Sequence, residues 1–222
     1  MSIAANLERI RQTLPEGVEL CAVSKFHPVE TLLQAYEASQ RCFGESRVQE
    51  LAAKVPQMPA EARWHFIGHL QTNKVRQLLS LPVAMIESVD SERLLDKIEE
   101  ESLRLGRTTD VLLQLHVAAE ETKFGFTPEE LLEYIKSGRY RRLKAVRLRG
   151  VMGMATNTDD SVRIRQDFEL IAQTRLRIRN LCPDLPDFET VSMGMSDDYP
   201  LAISCGSTLV RVGSAIFGPR QY

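Results

Sequence analysis

Apolar residues recur along this chain in two alternating rhythms. Dense apolar and β-branched runs at residues 18–24, 41–44, 64–68, 84–89, 111–117, 146–152, 188–193 and 208–212 read as strands. Between them the apolar positions fall three and four apart. Val29, Leu32, Leu33 and Tyr36 form one such set and Ile164, Phe168 and Ile171 another, each lining one face of a helix. An additional amphipathic helix over 3–14 precedes the first strand. Thr127-Pro128-Glu129-Glu130 is a capping box with proline at the first helical position, where its missing N–H costs nothing. Ser91 and Asn73 stand as N-caps of two further helical segments.

Strands alternating with helices predict a parallel sheet with crossover connections. Periodicity alone leaves open an open doubly wound sheet or a closed barrel, and eight units favour closure. No linker rich in Pro, Gly and Ser divides the chain. The expectation is an α/β protein of one domain over residues 1–222, a single (β/α)8 TIM barrel with an extra N-terminal helix.

Composition narrows the class. With 43% hydrophobic and 26% charged residues the chain is globular, which excludes disordered and collagen-like classes. Its longest apolar stretches, such as 111–117, fall far short of the roughly 20 residues of a membrane span. Charges at Glu8 and Arg9 interrupt any secretory signal, so a cytoplasmic protein is expected. With 28 basic against 30 acidic residues, no positive field would gather nucleic acid. Cys21, Cys42, Cys182 and Cys205 form no Cys-x-x-Cys and read as reduced thiols. His27, His65, His69 and His116 are assigned structural or hydrogen-bonding roles, no metal is expected, and His69 and Asn73 are placed near the barrel mouth. The basic run Arg139, Arg141, Arg142, Lys144, Arg147 and Arg149 reads as a solvated face near a helix end.

Active groups in such barrels sit at the C-terminal ends of strands, and the loops after strands 7 and 8 often bind phosphate. The first strand ends Ala22-Val23-Ser24-Lys25. Desolvation at an apolar barrel mouth favours the free amine, which a Schiff base with a carbonyl requires. The competing reading is a lysine that reaches out to solvent. After strand 7 comes Ser192-Met193-Gly194-Met195-Ser196, and strand 8 runs into Arg211-Val212-Gly213-Ser214. Amides and hydroxyls of such turns can cradle a phosphate, although each turn alone is also an ordinary turn. Together with the lysine they suit a phosphorylated aldehyde.

Ala22-Val23-Ser24-Lys25, Phe43-Gly44-Glu45, Val48-Gln49-Glu50, the run from Trp64 through His69 to Lys74, Lys123-Phe124-Gly125-Phe126, Ser192 to Asp197 and Val210-Arg211-Val212-Gly213 closely resemble the YggS/PROSC-like pyridoxal-phosphate homeostasis proteins. The resemblance spans essentially the whole chain. It implies an alanine-racemase-like barrel (PLP fold type III) carrying pyridoxal 5′-phosphate (PLP) as a Schiff base on Lys25. Ser192, Gly194, Ser196, Gly213 and Ser214 would hold the phosphate, and Arg211 would face the pyridine nitrogen. Such an arginine cannot accept a proton, so the cofactor becomes a poorer electron sink. The chain departs from the family at Ser46-Arg47, where relatives commonly carry Asn-Tyr. It also ends soon after strand 8, without the second domain of true alanine racemases, and no second catalytic base can be named.

The implied function is intracellular PLP homeostasis, in which a monomer holds, buffers or delivers the cofactor without strong turnover. The recipients would be PLP-dependent apoenzymes or a regulatory protein partner. A PLP-dependent amino-acid racemase is the alternative. The 222 residues fall below the ~250 typical of these barrels, leaving little chain for a lid.

Overall fold

Each apolar run becomes one stave of a barrel in the computed structural model, which describes residues 2–120 and 124–219. The strands are β1 (Glu19–Val23), β2 (Cys42–Glu45), β3 (Arg63–Phe66), β4 (Val83–Val89), β5 (Thr109–Leu115), β6 (Val146–Gly153), β7 (Thr190–Ser192) and β8 (Leu209–Val212). They pair in parallel and in chain order, and β8 returns to β1 to close the ring. Between them run α2 (Val29–Glu37), α3 (Val48–Lys54), α4 (Val75–Leu79), α5 (Glu92–Leu105), α6 (Pro128–Lys136), α7 (Ser161–Leu181) and α8 (Tyr199–Ser204). The helix α1 (Ile3–Arg11) precedes β1 and the short α9 (Ser214–Phe217) follows β8. No helix among the described residues is long and apolar enough to cross a membrane.

The two faces of the staves build two separate apolar layers. One large cluster, including Phe43, Phe66, Ile86, Val111 and Val210, joins sheet and helices. A smaller one of Cys21, Cys42, Leu112, Met152 and Leu209, with Met85 against it, fills the lumen. Period-two alternation makes this division, since neighbours along a strand face opposite sides.

Capping follows the sequence with one exception. Thr127 and Glu130 form both bonds of the capping box, and Ser91 Oγ accepts from Leu94 N at 3.4 Å. Asn73 does not cap. It lies inside a 3₁₀ turn, Thr72–Lys74, and α4 begins after Lys74 without a side-chain cap. The turn supplies helical backbone ahead of α4, so no Ncap conformation arises at Asn73.

The first helix and the segment after it are tied to α9 and α8. Asn6 Nδ2 donates to the Ile216 carbonyl at 2.9 Å, and the hydroxyls of Thr13 and Tyr199 meet at 3.0 Å. The β7–β8 seam is the thinnest of the ring, with one strand register pair, Ser192↔Leu209. Ser207 Oγ reinforces it by donating toward the carbonyls of Met193 and Leu209 at 2.8 and 3.1 Å.

Candidate functional site

Lys25 follows β1 in a segment held on both sides. Ser24 N donates to Gly44 O at 3.0 Å, and Ser24 Oγ donates to Glu45 Oε1 at 2.6 Å. Lys54 Nζ, from the end of α3, donates to Ser24 O, Glu45 Oε1 and Glu50 Oε1 at 2.8, 2.7 and 2.6 Å. Glu50 in turn accepts from Phe26 N at 2.6 Å. Phe26 has φ 68°, a costly conformation for a bulky side chain, so this carboxylate fixes a strained turn beside Lys25. Burial pushes the Glu45 carboxyl above its usual range, against the pull of Lys54. At the departure from the family pattern, the Arg47 guanidinium lies over the Phe26 ring, 4.9 Å from its centre.

The opposite wall is a buried polar chain. Arg211 is 4% exposed. Its Nη2 donates to Gly153 O at 3.0 Å and its Nη1 to Ser192 Oγ at 2.5 Å. Ser192 Oγ donates to Glu87 Oε2 at 2.5 Å, and the other Glu87 oxygen lies 2.6 Å from His65 Nδ1. Burial works against the charge on Glu87, but His65, Arg211 and Ser192 prevail and hold it below the usual carboxylate range. Burial likewise opposes a charge on His65, yet Cys42 and Glu87 lift its pKa well above the ordinary value.

At the mouth, the loops after β7 and β8 interlock. Ser196 Oγ accepts from Gly213 N at 3.3 Å and from Ala215 N at 3.4 Å. A side chain at Gly213 would put its Cβ 3.2 Å from Val23 O, crowding the rim. Gly194, at φ 93°, turns its carbonyl toward Arg211 N at 3.0 Å.

Lys25, Ser196, Arg211, Gly213 and Ser214 line one cavity of about 250 Å³, with Val23, Ile67, Met152, Met154 and Met195 as apolar walls. Five of the seven expected residues therefore converge. Ser192 and Gly194 are not in its lining. Ser192 is fully buried between Arg211 and Glu87, and Gly194 shapes the turn. One amine, a buried guanidinium, two hydroxyls and loop amides around apolar walls are a donor set that fits a phosphorylated aromatic aldehyde.

The sequence pattern does not single out Lys54 or Glu87. Lys54 stands four residues after Glu50, and Glu87 is a carboxylate inside an apolar strand run. Both signals were present, but their partners lie on other strands. His69 pairs with Asp90 and stacks on Phe124, outside the cavity lining, and Asn73 is outside it too. Lys123 lies outside the described residues. Each arginine of the 139–149 run faces a carboxylate, from Arg139–Glu92 to Arg149–Asp187.

Residues 1–221 match the model of the alanine racemase N-terminal domain. The chain is 37% identical to a protein of Pasteurella multocida named pyridoxal phosphate homeostasis protein, over 100% of this chain and 99% of that one. A Schizosaccharomyces pombe protein of the same name is 40% identical, over 99% and 93%. Among solved structures, the fold is similar to PipY of Synechococcus elongatus with PLP bound, at TM-score 0.89 and 34% identity, covering 98% of this chain and 100% of that one.

Proposed function

The chain belongs to the family of the pyridoxal phosphate homeostasis proteins, built on the alanine racemase N-terminal domain, and from that premise we propose that it binds PLP at the barrel mouth to hold and deliver it. The observation that carries this is the convergence of Lys25, Ser196, Arg211, Gly213 and Ser214 on one cavity. When bound, the cofactor supplies an aldehyde able to condense with an amine. Lys25 is the amine placed to carry it as a Schiff base. Ser196, Ser214 and the Gly213 turn hold the phosphate, and the methionine walls flank the ring.

Weak turnover is part of the same reading. Arg211 is fixed by Ser192 and Gly153, and as a permanent cation it cannot accept a proton and then donate it to a ring nitrogen. The nearest buried carboxylate, Glu87, is engaged by Ser192 and His65. We read the working unit as a cytoplasmic monomer. The recipients are PLP-dependent apoenzymes.

The test is an absorbance spectrum of purified protein before and after borohydride, with peptide mass mapping. A reduced adduct on Lys25 is expected, and Lys25→Ala should lose it while keeping its circular dichroism. Colourless protein that takes up no added PLP would overturn the proposal. Light scattering with and without PLP checks the monomer.

A further inference from the structure

Below the cofactor cavity the lumen contains a second group of chemically capable side chains. Sγ of Cys21, Sγ of Cys42 and a ring nitrogen of His65 all lie within 4.8 Å of one another. The three residues are 0%, 2% and 3% exposed, and they come from three adjacent staves, β1, β2 and β3. His65 Nδ1 is engaged by Glu87 at 2.6 Å, which leaves Nε2 as the nitrogen available for a metal. A carboxylate on the far nitrogen of an imidazole is the arrangement that orients metal-binding histidines and raises their basicity. Glu87 is itself compensated, through Ser192 and by Arg211 at 3.8 Å.

We propose that Cys21, Cys42 and His65 form a binding site for a soft d¹⁰ cation, zinc in the first instance, with Glu87 orienting His65. Two thiolates and one imidazole are a zinc donor set that leaves a fourth position open, and thiolates select zinc over hard cations. Ligand atoms around a tetrahedral zinc stand about 3.5–3.8 Å apart, given ~2.3 Å to sulfur and ~2.0 Å to nitrogen. Closing this triangle therefore needs shifts on the order of 1 Å or less. Room exists beside it, because Gly44 has no Cβ where one would stand 2.9 Å from Cys21 Sγ. Entry is available from the lower rim, where His65, Glu19, Met85 and Leu209 line a separate depression of about 370 Å³.

The charge balance favours exchange. As ligands both cysteines are thiolates and the imidazole is neutral, so two thiols and a neutral imidazole give up two protons. Zinc replaces these two protons, forms two Zn–S bonds and one Zn–N bond, and leaves the net buried charge unchanged. Binding should therefore release about two protons and strengthen as pH rises. The site does not depend on the PLP reading, since none of its three ligands lines the upper cavity.

The experiment uses reduced, tag-free full-length protein titrated with Zn(II) against a chromophoric chelator, and with Co(II) followed by absorbance. One equivalent should bind, and cobalt should give a sulfur-to-metal charge-transfer band with ligand-field bands of four-coordinate intensity. Cys42→Ser and Cys21→Ser should each weaken zinc at least 100-fold, and Glu87→Gln about 10–100-fold. Cys182→Ser should bind as wild type, since Cys182 lies in the outer layer. Reduced wild-type protein that gives no charge-transfer band and takes up less than a tenth of an equivalent would overturn the proposal, whatever the variants do. Equal loss in Cys182→Ser would overturn it too.

Discussion

Lys54 shows how much of the site rests on a residue outside it. Its side chain is almost fully buried against Glu45 and Glu50. Replacing it with methionine leaves those carboxylates without their cation, and breaking a buried pair in this way costs about 3–5 kcal/mol. Urea denaturation of Lys54→Met should show that loss, together with weaker PLP retention as the turn at Phe26 relaxes. Unchanged stability would mean the network does not brace Lys25. Gly194→Ala should cost on the order of 1–3 kcal/mol, because φ is 93° and the new Cβ would stand 2.6 Å from the Ala202 Cβ. A thermal melt measures it. Lys25 stands out in the sequence because it follows an apolar strand, whereas Arg211 is singled out by the family resemblance. Lys54 and Glu87 do not stand out in the same way, since their meaning lies in partners up to 105 positions away, as with Ser192 and Glu87.

All eight strands were legible because each apolar run is buried over most of its length, against helices outside and lumen residues within. The boundaries were less so. The run 111–117 lost its end because His116 N and Phe126 N bond across the next turn instead, and 188–193 shrank to β7 where Phe188 turns into the outer layer. In α6, Tyr134 is 1% exposed and its hydroxyl has no hydrogen-bond partner among the described residues. Tyr134→Phe should leave neutral-pH stability unchanged or raise it by up to about 1 kcal/mol. Burial lifts this phenol to about 12, against ~10 in an unfolded chain. A folded pKa raised in this way contributes stability that is complete below pH ~10 and drains away as pH rises toward 12. The phenylalanine variant should have a flatter alkaline limb when unfolding is followed by circular dichroism. Thr127→Ala should cost about 1 kcal/mol through the lost cap, checked by the shift of the urea midpoint.

For the molecule as a whole, the ring is uneven. β5 and β6 pair at seven positions, whereas β7 and β8 pair at one, and the thin seam supports both cofactor loops. Local opening follows contact density, so the amides of Met193 and Thr208 should exchange with deuterium faster than those of Val111 and Leu113, and added PLP should slow them. Uniform protection around the barrel would contradict this. The tie between α1 and α9 has a further consequence, one of timing. Asn6 and its acceptor Ile216 are 210 residues apart. At translation rates of roughly 5–20 residues per second, the first helix waits on the order of 10–40 s on the ribosome before its partner has been made. Until then the nascent chain holds an unfinished ring whose first helix still lacks its final partner.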